Sequence, residues 1–160
     1  MKKICSFLLT AVCLTACFRP LPTIPTLPDM QLPVAGTEAV WKAADYTGKP
    51  VMLVFMGSWC PYCKMTMPAV MQAAKEFGGQ VEIVGVFVDE DPNAVKAVIK
   101  EHNFTVKSLY NGGEVIQMME VQGFPHTVLF DKKHRAVKRW EGFSPTRLDD
   151  YREALANVTR

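Results

Sequence analysis

Cys60 and Cys63 are the residues of this chain best placed to do chemistry. They stand three residues apart where an apolar run passes into a helix-forming segment. Residues at this spacing share one face of a helix, so the two thiols can close a disulfide with little backbone movement. The first thiol falls at the predicted helix N-terminus, where free backbone N–H groups and the helix dipole favour a thiolate. Because a thiolate is the nucleophile of disulfide exchange, the spacing predicts a redox site.

The first residues of the chain have the pattern of an export signal. Lys2 and Lys3 precede an apolar run over residues 4–14, and small residues lead to Cys17. The run is shorter than the roughly 20 residues that span a bilayer. We therefore expect residues 1–16 to be a signal peptide, with an ordinary secretory signal or a short buried helix as the alternatives to a lipoprotein signal.

The end of this segment, Leu14-Thr15-Ala16-Cys17, resembles the lipobox of bacterial lipoproteins. That resemblance implies that Cys17 becomes the lipidated first residue. Phe18 in place of an aspartate after it implies sorting to the outer membrane in a Gram-negative cell. We therefore expect an exported protein that faces the periplasm or the cell exterior, attached to the membrane through its lipid.

The cysteines and charges that would remain after removal of the signal peptide limit the functions to be expected. Without the leader, and with Cys17 lipidated, Cys60 and Cys63 are the remaining thiols. An exported protein with two such thiols either holds one disulfide or cycles it, and a four-residue loop restrains the unfolded chain too little to favour a purely stabilising role. Sixteen basic and sixteen acidic residues would remain, and this balance gives no reason to expect a nucleic-acid partner.

The chain is long enough for one globular domain. Residues 17–37 hold five of its eleven prolines, which predicts an extended tether, with a disordered arm as the alternative. We place the folded domain at residues 38–160. Its first element is expected to be a short helix over residues 39–44, ended by Gly48 and Pro50.

Continuous apolar runs predict a buried sheet. Val51–Met56 and Val81–Val88 lack polar alternation, as expected for central strands covered on both faces. A helix that holds the two cysteines follows the first run, and an amphipathic helix capped by Asp91 follows the second. A hairpin and a final helix complete the chain. The order predicts an α/β fold with a central mixed β-sheet and helices on both faces.

Three motifs together are similar to the thioredoxin superfamily: Trp-Cys-x-x-Cys after an apolar strand, Pro68 five residues beyond the second cysteine, and Gly-Phe-Pro before a strand. The helix inserted after the second strand and the lipid anchor resemble the bacterial TlpA-like thiol-disulfide oxidoreductases. The resemblance implies a thioredoxin-like fold. It also implies an enzyme that exchanges its dithiol or disulfide with protein substrates.

The resemblance also implies roles for single residues. Cys60 would be the exposed nucleophile and Cys63 the more buried resolving thiol. Pro125 matches the cis-proline that faces the disulfide, and the backbone of the residue before it would pair with an extended substrate. The expected substrate-binding residues are Trp59, Pro61, Tyr62, Phe124 and Pro125. No cofactor is expected beyond the redox-active Cys60–Cys63 disulfide, and no metal.

Two positions depart from the relatives. Thioredoxins carry a buried aspartate where this chain has Val54, and many TlpA-like reductases carry a glutamate where it has Thr66. Deprotonation of Cys63 would then depend on water, on Lys64 or on another group. The direction of exchange stays open, and a reductase outside the cytoplasm would need an electron-donor protein in the membrane.

Three rival readings use the same residues differently. A zinc site lacks a second cysteine pair. A copper-binding chaperone of thioredoxin fold would use the two cysteines with His126, which follows Pro125, and it is the main alternative function. A non-catalytic domain that keeps the fold to dock a partner is the third.

Overall fold

The computed structural model describes residues 26–160, which are built around a five-stranded sheet. The strands along the chain are β1 Gln31–Pro33, β2 Val40–Lys42, β3 Val51–Met56, β4 Glu82–Phe87, β5 Ser108–Leu109, β6 His126–Phe130 and β7 Ala136–Glu141. The main sheet has the order β5-β4-β3-β6-β7. β3 pairs parallel with β4 and antiparallel with β6, which confirms the predicted mixed sheet.

Helices cover both faces of this sheet, as predicted. They are α1 Pro61–Phe77, α2 Pro92–Glu101, α3 Gly113–Met118 and α4 Arg147–Thr159. Buried residues of α1, α2 and α4 form one apolar cluster on the first face, and those of α3 pack with the β1–β2 hairpin on the second. We call these the α1 face and the α3 face.

The central strand shows why both faces are needed. All six residues of β3 are buried. Successive side chains of a strand point to opposite faces, so Val54 and Met56 lie in the α1-face cluster and Phe55 lies in the α3-face cluster. A strand that is apolar at every position is stable only when both faces are covered. β3 therefore provides a rigid base at whose carboxyl end the cysteine helix begins.

The tether predicted over residues 17–37 includes residues that belong to the folded domain. Residues 26–37 pack on the domain: Leu27, Met30 and Leu32 are buried on the α3 face. The segment also lines the β5 edge of the sheet, where the N–H of Ala35 donates to the carbonyl of Ser108 at 2.8 Å. Apolar side chains between the prolines supply this contact, so the folded unit begins no later than Thr26 and the boundary expected at residue 38 is wrong.

The short helix predicted over residues 39–44 is also wrong. Residues 40–42 form β2, and a 3-10 helix follows at Ala43–Tyr46. Trp41 pairs across the hairpin with Leu32, stacks on Tyr46 at 5.3 Å and donates its indole N–H to Glu82. Burying this indole outweighs the weak helix preference of the neighbouring alanines.

The signal peptide at residues 1–16, the lipidated Cys17 and the first part of the tether lie outside the described residues. They therefore stay predictions. Within residues 26–160, no helix combines the length and the apolar character needed to cross a bilayer.

Candidate functional site

The cysteine pair lies where β3 passes into α1. Gly57 and Ser58 turn the chain after the strand, and Cys60 is the N-cap of the helix with Pro61 at the first helical position. The Cys60 sulfur accepts a hydrogen bond from the Cys63 N–H at 3.2 Å. A sulfur at this place takes the role of a capping oxygen, and the donated N–H favours its negative charge.

Both thiols are free in this structure, and both are buried. Cys60 is 4% exposed and Cys63 is fully buried. The resemblance implies an exposed nucleophile, whereas Cys60 is almost completely buried. The reason is that the N-cap position turns the Cys60 side chain inward over the first turn of α1. The order of burial agrees with the expected roles, with Cys60 at the opening and Cys63 behind it.

Cys63 is held in its protonated form. Burial raises the pKa of the Cys63 thiol above its usual range, and the hydrogen bond with Cys60 raises it further. A backbone hydrogen bond from Gly57 acts in the opposite direction, as a donated N–H does. Cys63 is thus a thiol near neutral pH and must lose its proton before it can attack.

Of the residues predicted to contact substrate, Trp59, Pro61 and Tyr62 lie next to Cys60 in the chain, and Phe124 packs on Trp59. Trp59 and Tyr62 are 66% and 60% exposed. Trp59 packs edge-to-face on Phe124, with ring centroids 6.2 Å apart. The Phe124–Pro125 peptide bond is cis, as the resemblance implies, and Pro125 is buried immediately before β6.

Sequence reasoning missed Phe143, which lies on the other side of the site. Its ring stacks on Tyr62 with centroids 6.4 Å apart. Beyond this pair, a groove of about 530 Å³ runs between α1 and the start of α4, lined by Met65, Phe143 and Leu148 among others. Exposed aromatic and apolar side chains thus flank Cys60 on two sides.

Sequence reasoning also missed the contact between Ser58 and Asp89. The Ser58 backbone N–H donates to Asp89 Oδ2 at 2.9 Å and its hydroxyl donates to Oδ1 at 2.6 Å. Asp89 follows β4, which is parallel to β3 and adjacent to it. The carboxyl ends of neighbouring parallel strands meet at one edge of a sheet, and this rule could have placed Asp89 beside the turn.

At the two positions where relatives carry an acid, this chain has side chains that are not acidic. Val54 is fully buried on the α1 face, and Thr66 is buried on α1 with its hydroxyl donating to the Tyr62 carbonyl at 2.9 Å. The Lys64 ammonium lies 3.8 Å from Glu101 Oε2 at the end of α2. Each of these side chains therefore has a packing or pairing role of its own.

His126 does not join the thiols. Its ring packs against Phe55, with centroids 6.3 Å apart, on the α3 face, whereas Cys60 and Cys63 belong to the α1 face. Burial lowers the pKa of this imidazole, so it stays neutral. In the described part of the chain, no group of three or more His, Cys, Asp or Glu side chains could hold a metal ion. The arrangement does not favour the copper-binding alternative.

Comparison with known proteins gives the same picture. A family model described as the AhpC/TSA family matches residues 25–153. The thiol-disulfide oxidoreductase ResA of Bacillus thuringiensis is 31% identical over 61% of this chain and 58% of its own length. The thiol:disulfide interchange protein DsbE of Pseudomonas aeruginosa is 30% identical over 72% of this chain and 61% of its own length. The matched segments span less than two thirds of these relatives.

Solved structures show the same fold. The thioredoxin domain of a Bacteroides vulgatus thiol-disulfide oxidoreductase superposes with a TM-score of 0.75 at 20% identity, covering 88% of this chain and 99% of that one. The family match covers most of the chain, and the sheet order and the cysteine turn agree with it. The chain therefore belongs to the AhpC/TSA family and is a TlpA-like member of the thioredoxin superfamily.

Proposed function

We propose that this protein is an extracytoplasmic thiol-disulfide oxidoreductase that exchanges its Cys60–Cys63 pair with protein substrates. The observation that carries the proposal is the hydrogen bond from the Cys63 N–H to the Cys60 sulfur at the N-terminus of α1. It combines a favoured thiolate with a second thiol one helical turn away. Relatives named as thiol-disulfide oxidoreductase and thiol:disulfide interchange protein support it.

The reaction follows from this geometry. The Cys60 thiolate attacks one sulfur of a substrate disulfide, and the other substrate sulfur leaves as a thiolate that takes a proton from water. Cys63 then loses its proton and attacks the Cys60 sulfur, which breaks the mixed disulfide and frees the second substrate thiol. Two electrons pass to the substrate and the Cys60–Cys63 disulfide forms. Run in reverse, the same steps oxidise a substrate dithiol.

Exposed apolar side chains suit a polypeptide substrate. Trp59 and Tyr62 lie beside Cys60, and aromatic side chains give large contact areas with little loss of conformational freedom. Phe124 lies two residues before His126, the first residue of β6 that pairs with β3. The backbone of Phe124 makes no hydrogen bond to another backbone group within residues 26–160, so it can pair with an extended substrate.

Location and electron supply complete the proposal. We place the protein outside the cytoplasm, held to the membrane through Cys17, on the strength of the lipobox resemblance. The outer membrane is the proposed site in a Gram-negative cell. A protein that acts there as a reductase needs an electron donor, and the proposed partner is a membrane protein that reduces the Cys60–Cys63 disulfide.

The test is to trap the intermediate in cells. A Cys63→Ala variant keeps the attacking thiol and lacks the resolving one, so substrates should stay disulfide-linked to Cys60 and separate on reduction. Cys60→Ala is the matched control and should trap nothing. Recovery of the same proteins with both variants, or of none with Cys63→Ala, would overturn the proposal.

A further inference from the structure

We propose that Asp89 is a positioning residue for the thiol pair, and that it acts by fixing the Gly57–Ser58 peptide. The inference deepens the proposed exchange function and rests on it. Within residues 26–160, no hydrogen bond joins the Asp89 side chain to the sulfur of Cys60 or Cys63. Its effect passes through the backbone of the turn that carries the cysteines.

The first step concerns one peptide unit. The Gly57 carbonyl and the Ser58 N–H belong to the same planar peptide, so they rotate together. The Ser58 N–H donates to Asp89 Oδ2 at 2.9 Å, while the Gly57 carbonyl accepts the Cys60 N–H at 3.1 Å. A rotation that broke the first bond would also break the second. Asp89 therefore holds the acceptor that anchors the Cys60 backbone.

The second step brings in Cys63. Gly57 also donates the backbone N–H that favours the Cys63 thiolate, from the peptide that joins the Gly57–Ser58 unit at the Gly57 α-carbon. Negative charge on the Cys60 thiolate and on the Asp89 carboxylate reaches the Cys63 sulfur, and both disfavour the Cys63 thiolate. The charge of Asp89 and its placement of the turn therefore act on Cys63 in opposite directions.

The surroundings keep the turn and the acid in place. A side-chain carbon added at Gly57 would lie 2.9 Å from the Trp59 ring, so a larger residue there would have to displace that ring. On the other side, the Asp89 carbonyl accepts the Asn111 N–H at 2.7 Å. The backbone of Asp89 is therefore fixed by Asn111 while its carboxylate binds Ser58.

The test separates the two chemical steps with a small aromatic disulfide as substrate. The reduced protein should release two equivalents of aromatic thiol: one when Cys60 attacks, and one when Cys63 attacks Cys60. The second step needs both sulfurs aligned, so it depends on the turn more than the first does. In Asp89→Ala we expect the second step to slow about tenfold and the first to change far less.

Three variants distinguish positioning from charge and from folding. Asp89→Asn keeps both contacts, because the serine hydroxyl can accept as well as donate, and it removes a charge that disfavours the Cys63 thiolate, so we expect its second step to be at least as fast as in wild type. Asp91→Ala removes an acid two residues away that caps α2, and should leave the ratio of the two steps unchanged. Ser58→Ala loses the hydroxyl contact alone and gives a milder slowing, which keeps the test available if Asp89→Ala fails to fold.

The outcomes are separable. A second step as fast in Asp89→Ala as in Asp91→Ala would overturn the role of Asp89 while leaving the exchange function intact. Asp89→Asn as slow as Asp89→Ala would show that keeping both contacts to Ser58 is not enough, and would also overturn it. Release of a single equivalent by the wild-type protein would remove the exchange function itself.

Discussion

At each end of the α1 region a carboxylate accepts two hydrogen bonds from one partner residue, yet the two contacts differ in their surroundings. Before the N-terminus, half-buried Asp89 takes two donors of Ser58. Near the C-terminus, exposed Glu76 takes two donors of Arg152, at 2.9 and 2.6 Å, and so ties α1 to α4. The second contact joins opposite charges in a forked geometry, which is intrinsically the stronger arrangement. Solvent screens it, however, whereas the weaker pair lies beside the reacting sulfurs.

The difference shows that position decides the effect of a polar contact here. Asp89 fixes a peptide that touches the cysteines, so its loss should change chemistry. The Glu76–Arg152 pair lies at the far end of a helix of 17 residues, so its loss should leave chemistry unchanged.

The largest effect concerns the Cys63 step. Because burial keeps the pKa of Cys63 above its usual range, the thiolate fraction should rise about tenfold per pH unit between pH 7 and pH 9. We expect the second release of aromatic thiol to rise with it, by about a hundredfold over that interval. Stopped-flow measurement of both releases checks this. A plateau of the second rate below pH 8 would contradict it, and Cys63→Ala supplies the background rate.

Sequence reasoning found the cysteines because their chemistry depends on residue type and local spacing. It found β3 and β4 because a strand buried on both faces leaves an apolar run that needs no partner to be recognised. It missed Asp89 because the contact with Ser58 joins residues 31 apart, and the same residue serves equally well as the end of a strand.

The N-terminal errors have a related cause. Proline density over residues 20–33 indicates an extended chain, and the chain there includes a strand that packs. Composition alone does not show that Leu32 would pair opposite Trp41. That contact depends on the α3 face of a sheet formed much later in the chain, so local propensity could not predict it.

A contact of intermediate effect lies beneath α4. The Tyr151 hydroxyl is 2.7 Å from Thr127 Oγ1 in the buried α1-face cluster, and burial raises the pKa of Tyr151 to about 12. Tyr151→Phe leaves the threonine hydroxyl buried without this partner, so we expect the free energy of unfolding to fall by about 1–2 kcal/mol. Exchange rates should not change, because neither residue touches the turn at Gly57.

Chemical denaturation of a matched pair of variants checks this. Tyr110→Phe is the control, since that half-buried hydroxyl makes no hydrogen bond to residues 26–160. The difference between the variants should hold below pH 10 and shrink as the pH rises toward 12, because the folded protein keeps the Tyr151 proton to a higher pH than the unfolded chain. Equal stability of the two variants would show that the pair contributes nothing.

The smallest effect is expected at the exposed end of α1. Hydrogen bonds from Arg152 and Gln72 lower the pKa of Glu76 to about 2. Since the pKa in the folded protein lies below the ordinary value of 4.5, the stabilisation is present above pH 4.5 and is lost as the pH falls toward 2. Glu76→Gln should therefore be slightly less stable than wild type at pH 7 and equal to it near pH 2, with unchanged rates for both thiol-release steps.

Salt separates this contact from the one at the other end. Glu76 and Arg152 face solvent, so high salt should remove the stability difference between wild type and Glu76→Gln. The slowing in Asp89→Ala comes from backbone placement and should persist at the same salt concentration. If high salt abolished the difference in rate between wild type and Asp89→Ala, the two carboxylates would act alike, through charge, and the distinction between the two ends of α1 would fail.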